Sequence, residues 1–404
     1  MKGEERGVKS ATAISYELDN AVKAARELAG SIREKLTLAR NSVGILLCDA
    51  DTDGASVTAE LKKILGLEVA GMTTLATLDA GGHHEAAIVL TVLTADDCGF
   101  FAAVSESLQC DDYAVRIVDA YQKTVPTGDV YGSGPGLIFA FCPYGLPFSG
   151  DTYPRILSPA GGDAPIIGGL ASDDYDYERA RVFFSGEEYA DAMVVVSVWG
   201  NVRPAFAMRH VTSRFAERIR RVVEAKGNIV YKVGEENFIQ YLEGFGLKTD
   251  VEDPLLAFTS YPMMLTREDG DETPLMRHIL SLNRSEGSGS FFGDVPTGAL
   301  ANICLVNKDD VKLACRESMQ MLLEEARRSG EDYAYSTVFC ISCCARAMIL
   351  GSDSDAEGRI LSEMLPEGLS LAGAYCLGEI CPARYKQGKA SNRFHNCSIT
   401  FCLL

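Results

Sequence analysis

The chain has 404 residues with a formal net charge of -18, 47% hydrophobic and 23% charged residues. That is ordinary soluble-protein composition, so a disordered chain and a fibrous repeat are both excluded. The acidic balance argues against wrapping nucleic acid, which needs a sustained positive surface. The length allows two or three domains, each able to bury a core without staples.

Residues 16 to 40, YELDNAVKAARELAGSIREKLTLAR, carry Val22, Ala25, Leu28, Ala29, Ile32 and Leu36 at helical spacing and predict one helix. The N-terminus, MKGEERGVKS, lacks the apolar core of a signal peptide, and no apolar run approaches the ~18 residues of a membrane span; a cytoplasmic protein is expected.

SVGILLC reads as a buried strand, and ASVTAELKKILG as an amphipathic helix stopped by Gly66. Between them lies a letter match to a calcium loop: Asp49, Asp51, Asp53, Gly54 and Glu60. A calcium-binding EF-hand needs a helix on both sides, and here a strand enters. The acids instead turn the chain from strand to helix, with Thr52 or Asp53 as the N-cap. Calcium binding in this loop stays an alternative.

The same order then recurs. NSVGILLC leads to LEVAGMTT and AAIVLTVL; GLIFAFC to APIIGGLASDD and DAMVVVSVW; PLLAFTS to GSGSFFGDVPTG and ALANICLVN; STVFCISCC to LSLAGAYCLGEI and CSITFCLL. Each pass reads as apolar strand, crossover, small-residue turn and apolar strand. Four passes predict an α/β fold of layered mixed sheets flanked by helices, in two domains of two units. The expected layout is an N-terminal helix over 1–40, then domains over 41–234 and 235–404. The seam lies near AKGNIVYKVGEENFIQYLEGFG, where Gly227 and Gly234 bracket a short strand and a helix follows from about Glu236. The basic stretch RHVTSRFAERIRR (209–221) predicts a solvated helical face, YGSGPG (131–136) a loop, and LTREDGDETP (265–274) an acidic surface loop.

Seven of the 13 cysteines follow residue 339, but CISCC has no second C-x-x-C at zinc-ribbon spacing, so buried free thiols are expected and no metal site. The adjacent Gly168 and Gly169, with Asp173 and Asp174 beyond, fit either a tight turn or close backbone approach to a ligand. No nucleotide-phosphate motif is present. Glu379, His395 and Asn396 come into consideration near the C-terminus.

In this order and spacing, APIIGGLASDD, ISCCARAMILG, LAGAYCLGEICP and FHNCSITFCLL resemble the FIST domain proteins of bacteria, with FIST-N over about 41–234 and FIST-C over about 235–404. The resemblance implies an intracellular sensory module for small ligands such as amino acids. Its expected partners are histidine kinases, cyclic-dinucleotide enzymes or chemoreceptors. The matching positions are Gly168, Gly169, Ala171 and Asp173; Ser342, Cys343 and Arg346; Gly378, Glu379 and Pro382; His395 and Asn396. AGMTTLATLD keeps only Gly71 and the Thr73-Thr74 hydroxyls of the family's first-unit stretch. With no output domain in the sequence, a separate partner is expected to carry the signal.

On this reading Arg346 offers a fork for a ligand carboxylate, Glu379 accepts from a ligand amine, and Asn396 with the backbone amides near Gly168 and Gly169 completes a polar shell. The structural alternative is a buried Arg346–Glu379 ion pair. Two further functions stay open. A haem-based nitric-oxide sensor would use His210 or His395 as axial ligand, the His83-His84 pair lying in what reads as an exposed turn. An enzyme would pair Cys343 with His395 and Glu379 or Asn396.

Overall fold

The computed structural model describes residues 7–128, 130–211, 214–215, 218–266, 274–328, 333–386 and 388–404. Its architecture is mixed α/β, with four sheets flanked by helices.

The strand Asn41–Cys48 reads as a continuous apolar run because it is central. It pairs parallel to Glu68–Thr73 on one side and antiparallel to Ile88–Ala95 on the other. Parallel neighbours need a crossover, supplied by the helix Gly54–Leu65. Asp53 caps it by accepting from the Ser56 N–H at 2.9 Å, and Gly66 ends it in the left-handed region at φ 72°.

The same unit recurs twice. Pro135–Cys142 runs parallel to Ile166–Leu170 across the helix Thr152–Ala160. Thr337–Cys343 runs parallel to Ser370–Cys376 across Cys344–Leu350 and Ala356–Met364.

The expected fourth unit is different. PLLAFTS opens as a short helix, Pro254–Phe258, not as a strand. Asp253 accepts from the Leu256 N–H at 3.0 Å, and proline at the first helical position is pre-set for a helix. The strands around it join an antiparallel nine-stranded sheet.

Two other segments depart from expectation. Residues 7–20 are not helical: Lys9–Ser15 is an edge strand on Ile88–Ala95, and the helix spans Ala21–Lys35, capped by Asn20. The basic stretch 209–221 is extended where described. Ala205–His210 pairs with Ser398–Leu403, and Arg220–Lys226 lies between two strands of the nine-stranded sheet. Backbone pairing overrides a charge pattern that suits either structure. Most of the acidic stretch 265–274 lies outside the described residues.

Sheets join distant parts of the chain. Thr77–Asp79 pairs with Ser370–Cys376, and Glu379–Lys386 with Ile166–Leu170. One core cluster accordingly draws on Ile45, Phe139, Phe339 and Ala374 together. The 234/235 seam runs through the nine-stranded sheet, between Ile229–Val233 and the helix Phe238–Glu243. Arg277 docks this sheet on the rest of the fold. One terminal nitrogen lies 3.0 Å from both oxygens of Asp151, and the other donates to the Phe394 carbonyl at 3.2 Å.

Candidate functional site

The site forms at a corner where the chain leaves one sheet for another. Lys389–His395 pairs with Glu379–Lys386, and after only Asn396 and Cys397 the chain enters Ser398–Leu403 of the next sheet. Cys397 makes the turn at φ 55°, a left-handed conformation that costs a side-chain-bearing residue on the order of 1–2 kcal/mol.

Glu379 and His395 are direct cross-strand partners, so their side chains share one face of the sheet. Both are buried. One oxygen of Glu379 accepts from the Ser398 hydroxyl at 2.5 Å and its backbone N–H at 3.3 Å. The other Glu379 oxygen has no partner among the described residues. Burial outweighs these bonds and pushes the Glu379 pKa up to about 8, so the group is largely a neutral acid at pH 7.

Nε2 of His395 lies 3.1 Å from the Cys381 carbonyl and therefore carries the proton. Nδ1 of His210 lies 3.3 Å from the Asn396 carbonyl and donates likewise. The rings are 5.4 Å apart. Burial lowers the His210 pKa to about 4; burial, followed by His210, lowers that of His395 well below the ordinary value.

Across from this corner, buried Asp173 organises a turn. Its carboxylate accepts the backbone N–H groups of Tyr175, Tyr177 and Arg179 at 3.1, 3.1 and 3.0 Å. Under that clamp Tyr175 and Tyr177 are held at φ 75° and 63°. Bulky side chains rarely adopt this region, and such strain gathers at functional sites.

The two tyrosines form one wall of a small cleft, about 300 Å³ with its open mouth included but with only about 20 Å³ of cavity inside. Cys343, Cys344, Ala345 and Met348 line it from the start of a helix, Leu377 and Asn396 from the corner, and Leu255, His278 and Phe292 from the nine-stranded sheet and its short helix. Three parts of the fold meet here, where ligand sites commonly form.

The polar groups of the cleft are short of partners. His278 and Asn396 are 2% and 1% exposed, yet neither ring nitrogen of His278 and neither amide atom of Asn396 has a hydrogen-bond partner among the described residues. The Tyr177 hydroxyl is in the same state. Each such group costs about 1–3 kcal/mol, so their convergence on one cleft sets it apart from ordinary core. Burial lowers the His278 pKa to about 4 and keeps the ring neutral.

The structure brings Cys343, Glu379, His395 and Asn396 into one region, but alters other expectations. Arg346 does not pair with Glu379. Its Nε and one terminal nitrogen lie 3.1 and 2.5 Å from one oxygen of Glu357, and that terminal nitrogen also reaches the Val311 carbonyl at 3.0 Å. Its other terminal nitrogen is buried without a partner among the described residues. Gly168 and Gly169 sit in a central strand paired on both sides. A Cβ at Gly168 would lie 1.9 Å from the Ala140 carbonyl oxygen, so close strand packing accounts for this glycine.

Cys343 is buried, and desolvation, followed by Glu379, raises its thiol pKa well above the ordinary value. A buried thiol held in its protonated form is a poor nucleophile. The ring centroids of His210 and His395 are 5.4 Å apart, too close for an iron and its macrocycle to lie between, so the two do not form a pair of axial ligands. His84 is not in an exposed turn. It is half-buried in a hairpin, with Asp79 and the Tyr16 hydroxyl each 2.9 Å from a ring nitrogen.

His278, Tyr175, Tyr177 and Glu357 were not singled out from the sequence. A histidine interrupting the apolar run LMRHIL and the YDY after the two aspartates were the available signals. Glu357 had none, since DAEGRIL is an ordinary amphipathic helix start.

Residues 42–236 match the family model described as the FIST N domain, and residues 238–382 that described as the FIST C domain. His395 and Asn396 lie beyond the matched residues. No curated protein matches the chain. Among solved structures, it is similar to PurLQS from Thermotoga maritima at 10% identity and TM-score 0.22, over 99% of this chain and 73% of that one. It is similar to phosphoribosylformylglycinamidine synthase II from the same organism at 11% identity and TM-score 0.20, over 98% and 72%. Likenesses this slight carry no argument about fold or function.

Proposed function

Because this chain belongs to the FIST family, whose domains are associated with signal-transduction sensing, we propose that it is a sensory protein that binds a small polar molecule in the cleft around His278 and Asn396. It passes the bound state to a separate partner, of the kind represented by histidine kinases, cyclic-dinucleotide enzymes and chemoreceptors.

One observation carries the reading. Nearly fully buried donors and acceptors with no partners among the described residues converge on a cleft walled by strained tyrosines. A ligand that satisfies them recovers the desolvation already incurred, and so gains more than it would from exposed groups. The cleft also lies where three parts of the fold meet, so occupancy alters their packing and offers a route to an output.

The reading is tested by thermal-shift screening of small polar metabolites against the wild-type protein and Asn396→Leu. Compounds that raise the wild-type melting temperature and have no effect on a folded Asn396→Leu variant support it. If every stabilising compound acts equally on both proteins, the cleft is not the sensor site.

A further inference from the structure

We propose that the cleft takes a neutral, flat molecule with an amide-like edge of adjacent donor and acceptor, and discriminates against zwitterions and carboxylates. This deepens the reading above and rests on it.

The argument starts from charge. Among the described residues, no Asp, Glu, Lys or Arg lines the cleft. The charged groups nearby are engaged elsewhere. Arg346 does not line the cleft, and two of its nitrogens hold Glu357 and the Val311 carbonyl, the third being buried without a partner among the described residues. Asp173 is occupied by three backbone N–H groups behind the tyrosines. Glu379 does not line the cleft, is bonded through one oxygen to Ser398, and is largely neutral. His278 is neutral as well.

An amino acid entering here would bring a carboxylate and an ammonium into a site that pairs neither. Burying an ion without a partner costs far more than burying a neutral polar group. A carboxylate facing the Asn396 amide would find its two donors, but its remaining charge would stay uncompensated.

The polar groups present suit a different guest. Asn396 offers a carbonyl acceptor beside an NH2 donor, the complement of a carboxamide, lactam or similar edge. His278 presents one donor and one acceptor in its neutral form. Tyr175, Tyr177, Phe292 and Met348 supply the rest of the wall, a surface suited to the faces of a flat ring.

Ligand-observed NMR titration of the full chain tests the inference with shape-matched probes: benzamide and nicotinamide as neutral amides, benzoate and phenylalanine as charged counterparts. Met348→Trp fills the cleft from its half-buried mouth, and Leu255→Trp does so from the facing short helix should the first variant misfold.

The expected result is saturable binding of the amides, at least about tenfold tighter than benzoate or phenylalanine, and lost in the filled variants. Charged probes that bind as tightly as the amides, and are lost in the same variants, overturn the neutral-ligand inference while leaving the cleft as a ligand site. Absence of binding by every probe, or binding that survives both filled variants, overturns both.

Discussion

Arg346 directs two nitrogens at a single oxygen of Glu357, with both side chains fully out of solvent. The other Glu357 oxygen accepts from Ser342 at 2.9 Å, so the pair ties the helix Ala356–Met364 to the end of the strand Thr337–Cys343. Burial works against the Arg346 charge, and Glu357 more than offsets it. Arg346→Met leaves the acid buried without its partner and is expected to destabilise the protein by about 3–5 kcal/mol. Adding Glu357→Gln should recover much of that loss. Urea denaturation of the two variants checks both expectations; a double variant no better than the single one would mean that packing, not charge pairing, dominates here.

Glu379 makes stability depend on pH in a direction opposite to that of most acids. Its pKa rises from the usual 4.5 to about 8 on folding, so the folded chain holds a proton that the unfolded chain has released. The associated stability is fully present below about pH 4.5 and is lost as pH rises through about 8, on the order of 5 kcal/mol in all. The buried neutral histidines His210 and His278 act the other way below their ordinary value. A comparison with Glu379→Gln removes their contribution. The variant's melting temperature relative to wild type is expected to increase steadily from pH 5 to pH 8 and then level off. A constant difference across that range would show that Glu379 is ionised in the folded protein.

Asp173 is expected to act through the backbone. Asp173→Ala removes the acceptor for three N–H groups that hold Tyr175 and Tyr177 in a conformation they would not choose. Hydrogen bonds to a charged group contribute about 1.5–3 kcal/mol each, but a loop relaxing into water recovers part of this. The expected outcome is a modest loss of global stability with faster hydrogen exchange confined to the amides of 175, 177 and 179, together with weaker binding of any cleft ligand. Unchanged exchange at those amides would remove the clamp from the account.

Local signals in the sequence translated well into local structure. The apolar run at 41–48, the cap at Asp53 and the stop at Gly66 each depend on neighbours within a turn or so, and each appears as expected. The corner residues Glu379, His395 and Asn396 were legible through a motif. Partner choice was not. Nothing in a linear pattern says whether Arg346 meets Glu357 or Glu379, since both acids sit beside apolar residues and the choice is made by where two helices pack. The same holds for residues 205–226, whose charges suit an exposed strand as well as a helix until Ser398–Leu403 and the nine-stranded sheet offer backbone partners. His278 lines the cleft beside Arg277, which ties its sheet to Asp151 in a contact spanning 126 residues.

The acidic loop after the first parallel strand gives a sharp contrast between sequence pattern and chemistry. Each acid of the calcium-like pattern already has work to do. Asp49 accepts from the Asp51 N–H at 2.8 Å, Asp51 pairs with Arg179, Asp53 caps the helix, and Glu60 pairs with Lys63 at 2.6 Å. Arg179 also binds Asp174 and Asp176, so a cation of the protein's own already sits among these carboxylates. Asp53→Ala is expected to cost about 1 kcal/mol as a lost N-cap, equally with and without calcium. Millimolar calcium should leave the melting temperature of the wild type unchanged. A calcium-dependent stabilisation that disappears in Asp53→Ala would mean that the loop rearranges around an ion, releasing Arg179 from Asp51 as it does so.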